Sequence, residues 1–289
     1  MSCRHHERVA LEDAAGVLGA RLSAIAAGAT VRCGPLRRVV LLPAVDLVVR
    51  LADHESAGAV AAEVAVASYL AGVGAPTELL ADGLDAPLIA GPVVASVWRY
   101  LGPARPATFA DVGRLLAQLH HRSAPAPSPI SYSDVPGAVV RHLRVAERSG
   151  APGALLATIR ARLEPLAARW DAAKTGSARV VIHADAHPAN VAGGRLVDLE
   201  LAGVGPPGYD LAAAAVATTR YGDRDALAAL TRTYAPGANP VVEPAWVELY
   251  ELWVTAWALA RWDEPGLRAE AQRRVAGLAE ASRARWRRR

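Results

Sequence analysis

The stretch "HADAHPANVAGGRLVDLE" (residues 183–200) places two histidines, an aspartate and an asparagine within eight residues, and two more carboxylates follow a Gly-Gly pair. Its first residue ends the segment "RVVIH" (179–183), and its last six residues belong to the segment "RLVDLEL" (195–201). Both segments are rich in valine or leucine, which predicts two strands joined around Gly193 and Gly194. We therefore expect four polar side chains to converge at one end of a hairpin: His183, Asp185, Asn190 and Asp198.

Such a group of side chains suits phosphoryl transfer. That reaction needs a carboxylate to accept the proton of an acceptor hydroxyl, and it needs oxygen ligands that hold Mg²⁺ against the nucleotide phosphates. A metallohydrolase is an alternative, because His183, Asp185 and His187 are residue types that bind zinc and Asp198 could complete the set. We find no second histidine cluster at a matching strand end, which disfavours this alternative.

The residues before this stretch predict a small antiparallel sheet. "RRVVLL" (37–42) and "VDLVVRL" (45–51) are β-branched runs typical of adjacent strands, and the second run carries Arg50. A helix is predicted over residues 56–71, with Glu63 beside its apolar stripe. Arg50 and Glu63 therefore lie on neighbouring elements.

The chain divides into a strand-rich part and a helical part. A helix is predicted over residues 9–26 and a further strand over 91–101, and from residue 107 helical periodicity dominates except at the hairpin. The order predicts an α+β fold with two lobes. We place the N-lobe at residues 1–101 and the helical C-lobe, which includes the hairpin, at 102–289.

Taken together, these motifs resemble the aminoglycoside and small-molecule phosphotransferase family, whose members are related to choline kinase and share a protein-kinase-like fold. The family's His-Gly-Asp, Asn and Asp-x-Glu pattern stands here as His183-Ala184-Asp185, Asn190 and Asp198-Leu199-Glu200. Four further segments continue the resemblance, which covers roughly residues 30–220: "LVVRLADHESAGAVAAEVAVASYL" (47–70), "VASVWRYL" (94–101), "LLAQLHH" (115–121) and "GPPGYDLA" (205–212).

The resemblance implies a role for each matching residue. Asp185 is the catalytic base, and Asn190 and Asp198 bind Mg²⁺. Arg50 contacts the nucleotide phosphates and is oriented by Glu63. The implied cofactors are Mg²⁺ and ATP or GTP as phosphoryl donor. Four residues at a strand end bring their backbone to the adenine: Trp98, Arg99, Tyr100 and Leu101.

Two positions depart from the pattern. Ala184 replaces the usual glycine, and Arg50 stands where protein kinases have lysine. Because Lys174 is the only lysine of the chain, any other cationic contact to phosphate must be an arginine. The turn "RCGPLRR" (32–38) is the best candidate for a glycine-rich phosphate loop.

Each residue also has an ordinary structural interpretation. Arg50 and Glu63 could be a common ion pair between a strand and a helix. His183 could be a hydrogen-bonding scaffold, since phosphoryl transfer needs no imidazole, and His187 a solvated loop residue. Asp210 could be the N-cap of the helix that follows it.

Composition favours a soluble, cytoplasmic protein without a membrane partner. Hydrophobic residues make up 52% of the chain, yet no uncharged apolar run approaches the roughly 18 residues of a membrane helix. Cys3 and Cys33 are expected to be free thiols. The net charge is +4, with much of the excess in "RARWRRR" (283–289), which predicts a solvated helix end and no nucleic-acid partner.

A late segment, "VVEPAWVELYELWVTAWALARWDEP" (241–265), bears on the acceptor. Its aromatic residues recur at helical spacing: Trp246, Tyr250, Trp253 and Trp257. Its carboxylates are opposed within the segment only by Arg261: Glu243, Glu248, Glu251, Asp263 and Glu264. The aromatic residues could form core and the acids a solvated face, or both could surround a cationic amine.

The sequence therefore predicts a phosphotransferase that uses ATP or GTP and Mg²⁺ to phosphorylate a hydroxyl of a small molecule. An amine-bearing or aminoglycoside-like acceptor is expected from the late acidic segment, with a neutral sugar or nucleoside as the alternative. A catalytically silent nucleotide-binding protein of the same fold is the main competing interpretation. Oligomeric state does not follow from the sequence.

Overall fold

The computed structural model describes residues 3–20, 25–34, 36–102, 106–126, 130–176, 179–238, 240, 242–279 and 285–287. Packing divides these residues into two compact units. The first takes its described residues from 1–105 and 191–200, and the second from 106–190 and 201–289. Residues 191–200 thus pack with the first unit, although the sequence places them in the second lobe.

The first unit contains the small antiparallel sheet that the sequence predicts. Its strands lie in the order β1-β2-β3-β5-β4, and each neighbouring pair is antiparallel. The elements are α1 (Cys3–Leu18), β1 (Thr30–Cys33), β2 (Arg38–Leu42), β3 (Leu47–Asp53), α2 (Ala57–Gly72), β4 (Leu88–Ala90) and β5 (Val93–Arg99).

Alternation along β3 separates the two faces of this sheet. Val49 and Leu51 are fully buried in a core that α1 covers. Arg50 and Ala52 point to the opposite face, and Ala52 packs there against the valines of α2. Arg50 therefore lies on the face of the sheet that α2 covers. Glu63 of α2 is buried, whereas the sequence predicts it beside the apolar stripe of the helix.

Two element boundaries differ from the sequence prediction. The first helix runs from Cys3 to Leu18, because Gly19 follows with φ +60°, a left-handed conformation that ends helices. Residues 21–24 of the helix predicted over 9–26 lie outside the described residues. The strand predicted over 45–51 begins at Leu47, because Pro43–Val45 forms a 3-10 turn.

A tight hairpin completes the first unit. Its strands β7 (Val191–Ala192) and β8 (Arg195–Leu196) are joined by Gly193 and Gly194, with φ of +55° and +72°. A two-residue turn with two left-handed residues is the type that fits the twist of paired strands, and glycine adopts it without strain. A side chain at Gly193 would also come within 3.1 Å of Leu101.

The predicted pairing of residues 179–183 with 195–201 is wrong. β6 (Val180–Ile182) pairs with β9 (Gly203–Gly205) in the second unit. The Gly-Gly turn already closes a hairpin between 191–192 and 195–196, so residues 179–183 pair further along the chain. Gly203 lets residues 131–133 approach β9 closely, because a Cβ there would lie 2.6 Å from the backbone nitrogen of Ser133.

The remainder of the second unit is helical, as the periodicity predicts. None of the helices in the described ranges is both long and apolar enough to cross a membrane. Those helices are α3 (Phe109–Arg122), α4 (Val135–Arg148), α5 (Gly153–Gly176), α6 (Ala212–Thr219), α7 (Ala226–Tyr234), α8 (Pro244–Leu259) and α9 (Pro265–Ala279).

The described part of the C-terminal tail is not a solvated helix end. Trp286 is 4% exposed and its backbone amide donates to the carbonyl of Arg220 at 2.8 Å. The ring of Trp286 lies 5.1 Å from the guanidinium groups of both Arg220 and Arg274. The sequence prediction considered charge alone, whereas the tryptophan anchors this segment to the second unit.

Candidate active site

Arg50 lies between two carboxylates in the first unit and is 7% exposed. Its Nη1 donates to Glu63 Oε1 at 2.8 Å. Nη1 and Nη2 also donate to the two oxygens of Glu78 at 2.8 and 2.7 Å. The guanidinium stacks 4.5 Å from the ring of Trp98. The pair of Arg50 with Glu63 is present as predicted, and Glu78 is a second partner that the sequence did not indicate.

This surrounding keeps Arg50 charged. Burial by itself would lower the pKa of Arg50, but the charges of Glu78 and Glu63 outweigh burial and raise it above its ordinary value. A guanidinium has five N–H donors, and the bonds to Glu63 and Glu78 use three of them. Among the described residues the other two donors have no acceptor, and the contact of Arg50 with nucleotide phosphates stays a prediction.

A second arginine extends the cluster. Arg37 Nη1 donates to Glu63 Oε2 at 2.6 Å, and its Nε lies 3.4 Å from Glu200 Oε2. Arg37 belongs to the turn that we proposed as a phosphate loop, in which the Gly34 amide donates to the Arg37 carbonyl at 2.7 Å. Pro35 of that turn lies outside the described residues, and the phosphate-loop role stays a prediction.

The backbone amides of residues 98–101, which we predict to meet the adenine, differ in whether they are already hydrogen-bonded. The amide of Arg99 donates to the carbonyl of Leu79 at 2.9 Å, and the amide of Tyr100 donates to Asp46 at 2.8 Å. The Trp98 side chain is fully buried. Within the described residues, the amide of Leu101 has no hydrogen-bond partner. Leu101 is thus the member of this set that can still donate to a base.

In the second unit, Asp210 braces the loop that carries Asp185. Asp210 is 1% exposed, and its carboxylate accepts the backbone amides of His183 at 2.9 Å and Ala184 at 2.6 Å. Nε2 of His120 lies 3.0 Å from the same carboxylate. The ordinary interpretation of Asp210 as an N-cap is therefore wrong, because the N-cap of α6 is Leu211.

The same brace explains how alanine is accommodated at the position of the family's glycine. Ala184 has φ +67°, in the left-handed region that costs a non-glycine residue about 1–2 kcal/mol. Its short bond to Asp210 offsets that cost. His183 is fully buried, and its Nδ1 accepts the amide of Asp185 at 3.3 Å, the scaffold role considered above.

The Asp185 carboxylate is held by three side chains. Tyr250 Oη donates to Oδ1 at 2.7 Å. Asn190 Nδ2 lies 3.3 Å from Oδ2, and His187 Nε2 lies 3.6 Å from the same oxygen. Burial opposes ionisation, but His187 and the bond from Tyr250 outweigh it, so the pKa of Asp185 lies below its ordinary value. Asp185 is therefore an ionised carboxylate at neutral pH.

The donor types of Asn190 and Asp198 fit Mg²⁺. Asn190 Nδ2 donates to the backbone carbonyl of Asp185 at 2.9 Å. A carbonyl can only accept, so the amide oxygen of Asn190 points away and is available for a cation. The Asp198 carboxylate makes no hydrogen bond or ion pair within the described residues, which leaves it equally available.

The zinc alternative receives no support. In the described ranges, no group of three His, Cys, Asp or Glu side chains is placed to hold a metal ion. An Mg²⁺ site that uses an amide oxygen and nucleotide phosphates needs no such group. Cys33 is a free, exposed thiol, and the side chain of Cys3 lies outside the described part of the chain.

The aromatic residues of α8 are core. Trp246, Tyr250 and Trp253 are at most 5% exposed and pack in the main cluster of the second unit. Trp257 is partly buried against this cluster and stacks on Arg261 at 3.7 Å.

The acids of this segment are not opposed by Arg261 alone. Arginines from other parts of the second unit pair with Glu243, Glu248 and Glu251 at 2.6–2.9 Å. Those arginines are Arg169, Arg162 and Arg220, in that order. The expectation that only Arg261 opposes these carboxylates is therefore wrong, because their partners lie elsewhere in the sequence. The cationic acceptor stays a prediction without this support.

A family model described as a phosphotransferase enzyme family matches residues 35–251, three quarters of the chain. The chain belongs to the phosphotransferase enzyme family. The match includes Arg50, Asp185, Asn190 and Asp198, and it begins inside the candidate phosphate loop at 32–38. No curated protein matches the sequence.

Solved structures show how far the likeness extends. An aminoglycoside phosphotransferase from Streptomyces rimosus, in complex with ADP and streptomycin, has a TM-score of 0.54 and 16% identity, covering 76% of this chain and 90% of that one. A choline/ethanolamine kinase family protein from Mesorhizobium loti has a TM-score of 0.56 and 20% identity, and the match covers 95% of this chain and 94% of that one. The choline kinase of Streptococcus pneumoniae has a TM-score of 0.55 and 15% identity, and the match covers 96% of this chain and 99% of that one. At these identities the likeness shows the fold alone, and it confirms the protein-kinase-like α+β class for this chain.

Three side chains near the predicted site residues were not assigned a part in the site from the sequence. Asp210 lies inside the matching segment "GPPGYDLA", so its position could have indicated a role. Tyr250 lies in the aromatic stripe, whose spacing indicates only core. Glu78 follows "GAPT" in a segment without any motif, and no signal in the sequence marks it.

Proposed function

We propose that this protein transfers the γ-phosphoryl group of ATP to a hydroxyl group of a small molecule in an Mg²⁺-dependent reaction. Membership of the phosphotransferase enzyme family supports the reaction class. The ADP in the Streptomyces rimosus structure supports a nucleotide as donor. The observation in this structure that carries the proposal is the ionised Asp185 carboxylate, fixed by side chains in a loop that Asp210 braces.

In the proposed reaction Asp185 accepts the proton of the acceptor hydroxyl. The hydroxyl oxygen then bonds to the γ-phosphorus, the bond from that phosphorus to the β–γ bridging oxygen breaks, and ADP leaves. Arg50 contacts the phosphates through its two remaining donors, and the Leu101 amide meets the adenine. Asn190 and Asp198 would hold Mg²⁺, which would neutralise charge on the phosphate oxygens.

The finer proposal is an amine-bearing or aminoglycoside-like acceptor. Streptomycin is present in the Streptomyces rimosus structure, and choline kinase is among the similar folds. This support comes from similar folds and not from Glu248 or Glu251, which are paired. A neutral sugar or nucleoside would be the contrary result in an acceptor screen.

The test combines binding with turnover. Calorimetry measures ADP affinity with Mg²⁺ and with EDTA, and turnover is measured with ATP and with GTP against aminoglycosides, choline-like amines, sugars and nucleosides. Asp185→Asn should retain ADP affinity and lose about 10²- to 10⁴-fold in turnover, the usual contribution of a general base. Asp171→Asn, at an exposed ion pair with Lys174, is the control.

Two results would contradict the proposal. Full turnover by Asp185→Asn would remove Asp185 from the reaction. A parent protein that binds Mg-ADP but phosphorylates no acceptor would instead be the catalytically silent nucleotide-binding protein.

A further inference from the structure

The segment that contains Glu78 lies alongside the hairpin of the first unit. The amide of Leu196 donates to the carbonyl of Pro76 at 2.8 Å, and the amide of Glu78 donates to the carbonyl of Leu196 at 2.8 Å. Arg195 Nη1 donates to the carbonyl of Thr77 at 3.0 Å. The backbone at Glu78 is thus fixed to the strand that leads into Asp198.

The Glu78 side chain joins two groups to which we give different tasks. It is 4% exposed, and its two oxygens accept Nη1 and Nη2 of Arg50 at 2.8 and 2.7 Å. Oε1 also accepts the backbone amides of Asp198 at 2.7 Å and Leu199 at 3.2 Å. One carboxylate therefore contacts the arginine proposed for phosphate and the turn that carries the aspartate proposed for Mg²⁺.

The turn at Asp198 needs such a support. Asp198 has φ +71°, a left-handed conformation that a non-glycine residue rarely adopts unless its surroundings hold it there. The amides that Glu78 accepts are those of Asp198 itself and of the next residue. These bonds fix the direction in which the Asp198 side chain leaves the backbone.

We propose that Glu78 is a positioning residue that sets the geometry of both Arg50 and Asp198 for Mg-nucleotide binding. The inference rests on the proposed function and adds to it a residue that contacts neither nucleotide nor metal. Buried partners of metal ligands commonly contribute about 10- to 100-fold to metal affinity or activity. The gain in ADP affinity on adding Mg²⁺ should depend on Glu78 to that extent.

Glu78→Gln is the first variant, because glutamine has the same size but one of its two terminal groups can only donate. An amide group in place of Oε2 removes the acceptor of Arg50 Nη2, and an amide group in place of Oε1 removes the acceptor of Arg50 Nη1 and of the Asp198 and Leu199 amides. Calorimetry with ADP in Mg²⁺ and in EDTA should show that the Mg²⁺-dependent gain falls by about 10- to 100-fold. Glu78→Asp keeps the charge but shortens the side chain, and it should show the same loss.

Glu270→Gln is the matched control. Glu270 is also buried and also accepts an arginine, Arg274, at 3.0 Å and a backbone amide, that of Arg287, at 2.9 Å. It belongs to the second unit and contacts neither Arg50 nor Asp198. Its substitution should lower thermal stability and leave the Mg²⁺-dependent gain within about twofold of the parent value.

A double variant separates positioning from general stability. If Glu78 acts through Asp198, Glu78→Gln should have little further effect on the Mg²⁺-dependent gain in an Asp198→Ala background. Folded Glu78 variants with the parental gain would overturn the inference while the proposed function stands. Loss of folding in both Glu78 variants would make Glu78 a residue of stability alone, and a parent that binds no Mg-ADP would remove the proposed function and this inference together.

Discussion

The hydroxyl of Tyr250 donates a hydrogen bond of 2.7 Å to Oδ1 of Asp185. The two residues are 65 positions apart in the chain, and Tyr250 reaches Asp185 from helix α8. Its ring is buried among aromatic side chains of the second unit. A residue whose spacing indicates only core therefore also orients the carboxylate that we propose as the catalytic base.

Tyr250→Phe should lower kcat by about tenfold while the affinity for Mg-ADP stays within twofold of the parent. The substitution keeps the buried ring and removes one hydrogen bond to a charged group, which contributes about 1.5–3 kcal/mol where it is made. Because a misdirected base affects the chemical step, the loss should fall on kcat and not on nucleotide binding. Tyr132→Phe, at a half-exposed tyrosine, serves as control, and unchanged kcat in Tyr250→Phe would show that the bond serves packing only.

Asp198→Ala should abolish most of the Mg²⁺-dependent gain in ADP affinity. The first unit places the carboxylates of Glu63, Glu78, Asp198 and Glu200 around two arginines, so the cluster carries more negative than positive charge. A nucleotide polyphosphate should bind such a cluster poorly until Mg²⁺ is present. Calorimetry on the folded variant decides this, with Asp82→Asn at an exposed surface position as control. Parental Mg²⁺ dependence in Asp198→Ala would mean that the metal ligands lie elsewhere.

The acids of α8 should affect stability and not acceptor binding. Glu251 is 7% exposed and pairs with Arg220 through both oxygens, at 2.6 and 2.9 Å. Glu251→Gln removes the buried carboxylate charge that pairs with the partly buried Arg220, and we expect the free energy of unfolding to fall by about 2–4 kcal/mol. Glu248→Gln, at a more exposed pair with Arg162, should cost less than about 1 kcal/mol. Denaturant unfolding measures both values, and a raised KM for a cationic acceptor in either variant would restore these carboxylates to the acceptor site.

The candidate site residues that the sequence indicates are those whose pattern is local. Asp185, Asn190 and Asp198 follow a short pattern, and alternation along β3 places Arg50 on the face opposite Val49. Glu78 could not be found in this way, because its bond to the Asp198 amide joins residues 120 positions apart. Such a contact depends on how the hairpin packs against residues 76–78, and no local propensity encodes that packing.

The wrong predictions have the same physical origin. Within residues 241–265 only Arg261 opposes the carboxylates, whereas Glu243 and Glu248 pair with arginines 74 and 86 residues away. The strand over 179–183 was paired with 195–201 because they are neighbours in the chain. A two-residue glycine turn is a stronger local constraint than strand propensity, and it leaves β6 to pair with β9.

His142 should make stability depend on pH in the acidic range. It is 4% exposed, its Nδ1 donates to the Ala138 carbonyl at 3.0 Å, and its ring lies edge-on to Trp253 at 4.7 Å. Burial, chiefly, lowers its pKa from 6.5 to about 4. The unfolded chain therefore binds a proton more readily than the folded protein does, and the contribution of neutral His142 is complete above about pH 6.5 and is lost as the pH falls toward 4. The lost stability should be on the order of 3 kcal/mol.

His142→Asn tests this, because asparagine can keep the bond to Ala138 without a titrating ring. Denaturant unfolding from pH 4 to 7 should show a shallower slope of the free energy of unfolding against pH for this variant. Equal slopes in the two proteins would contradict the assignment.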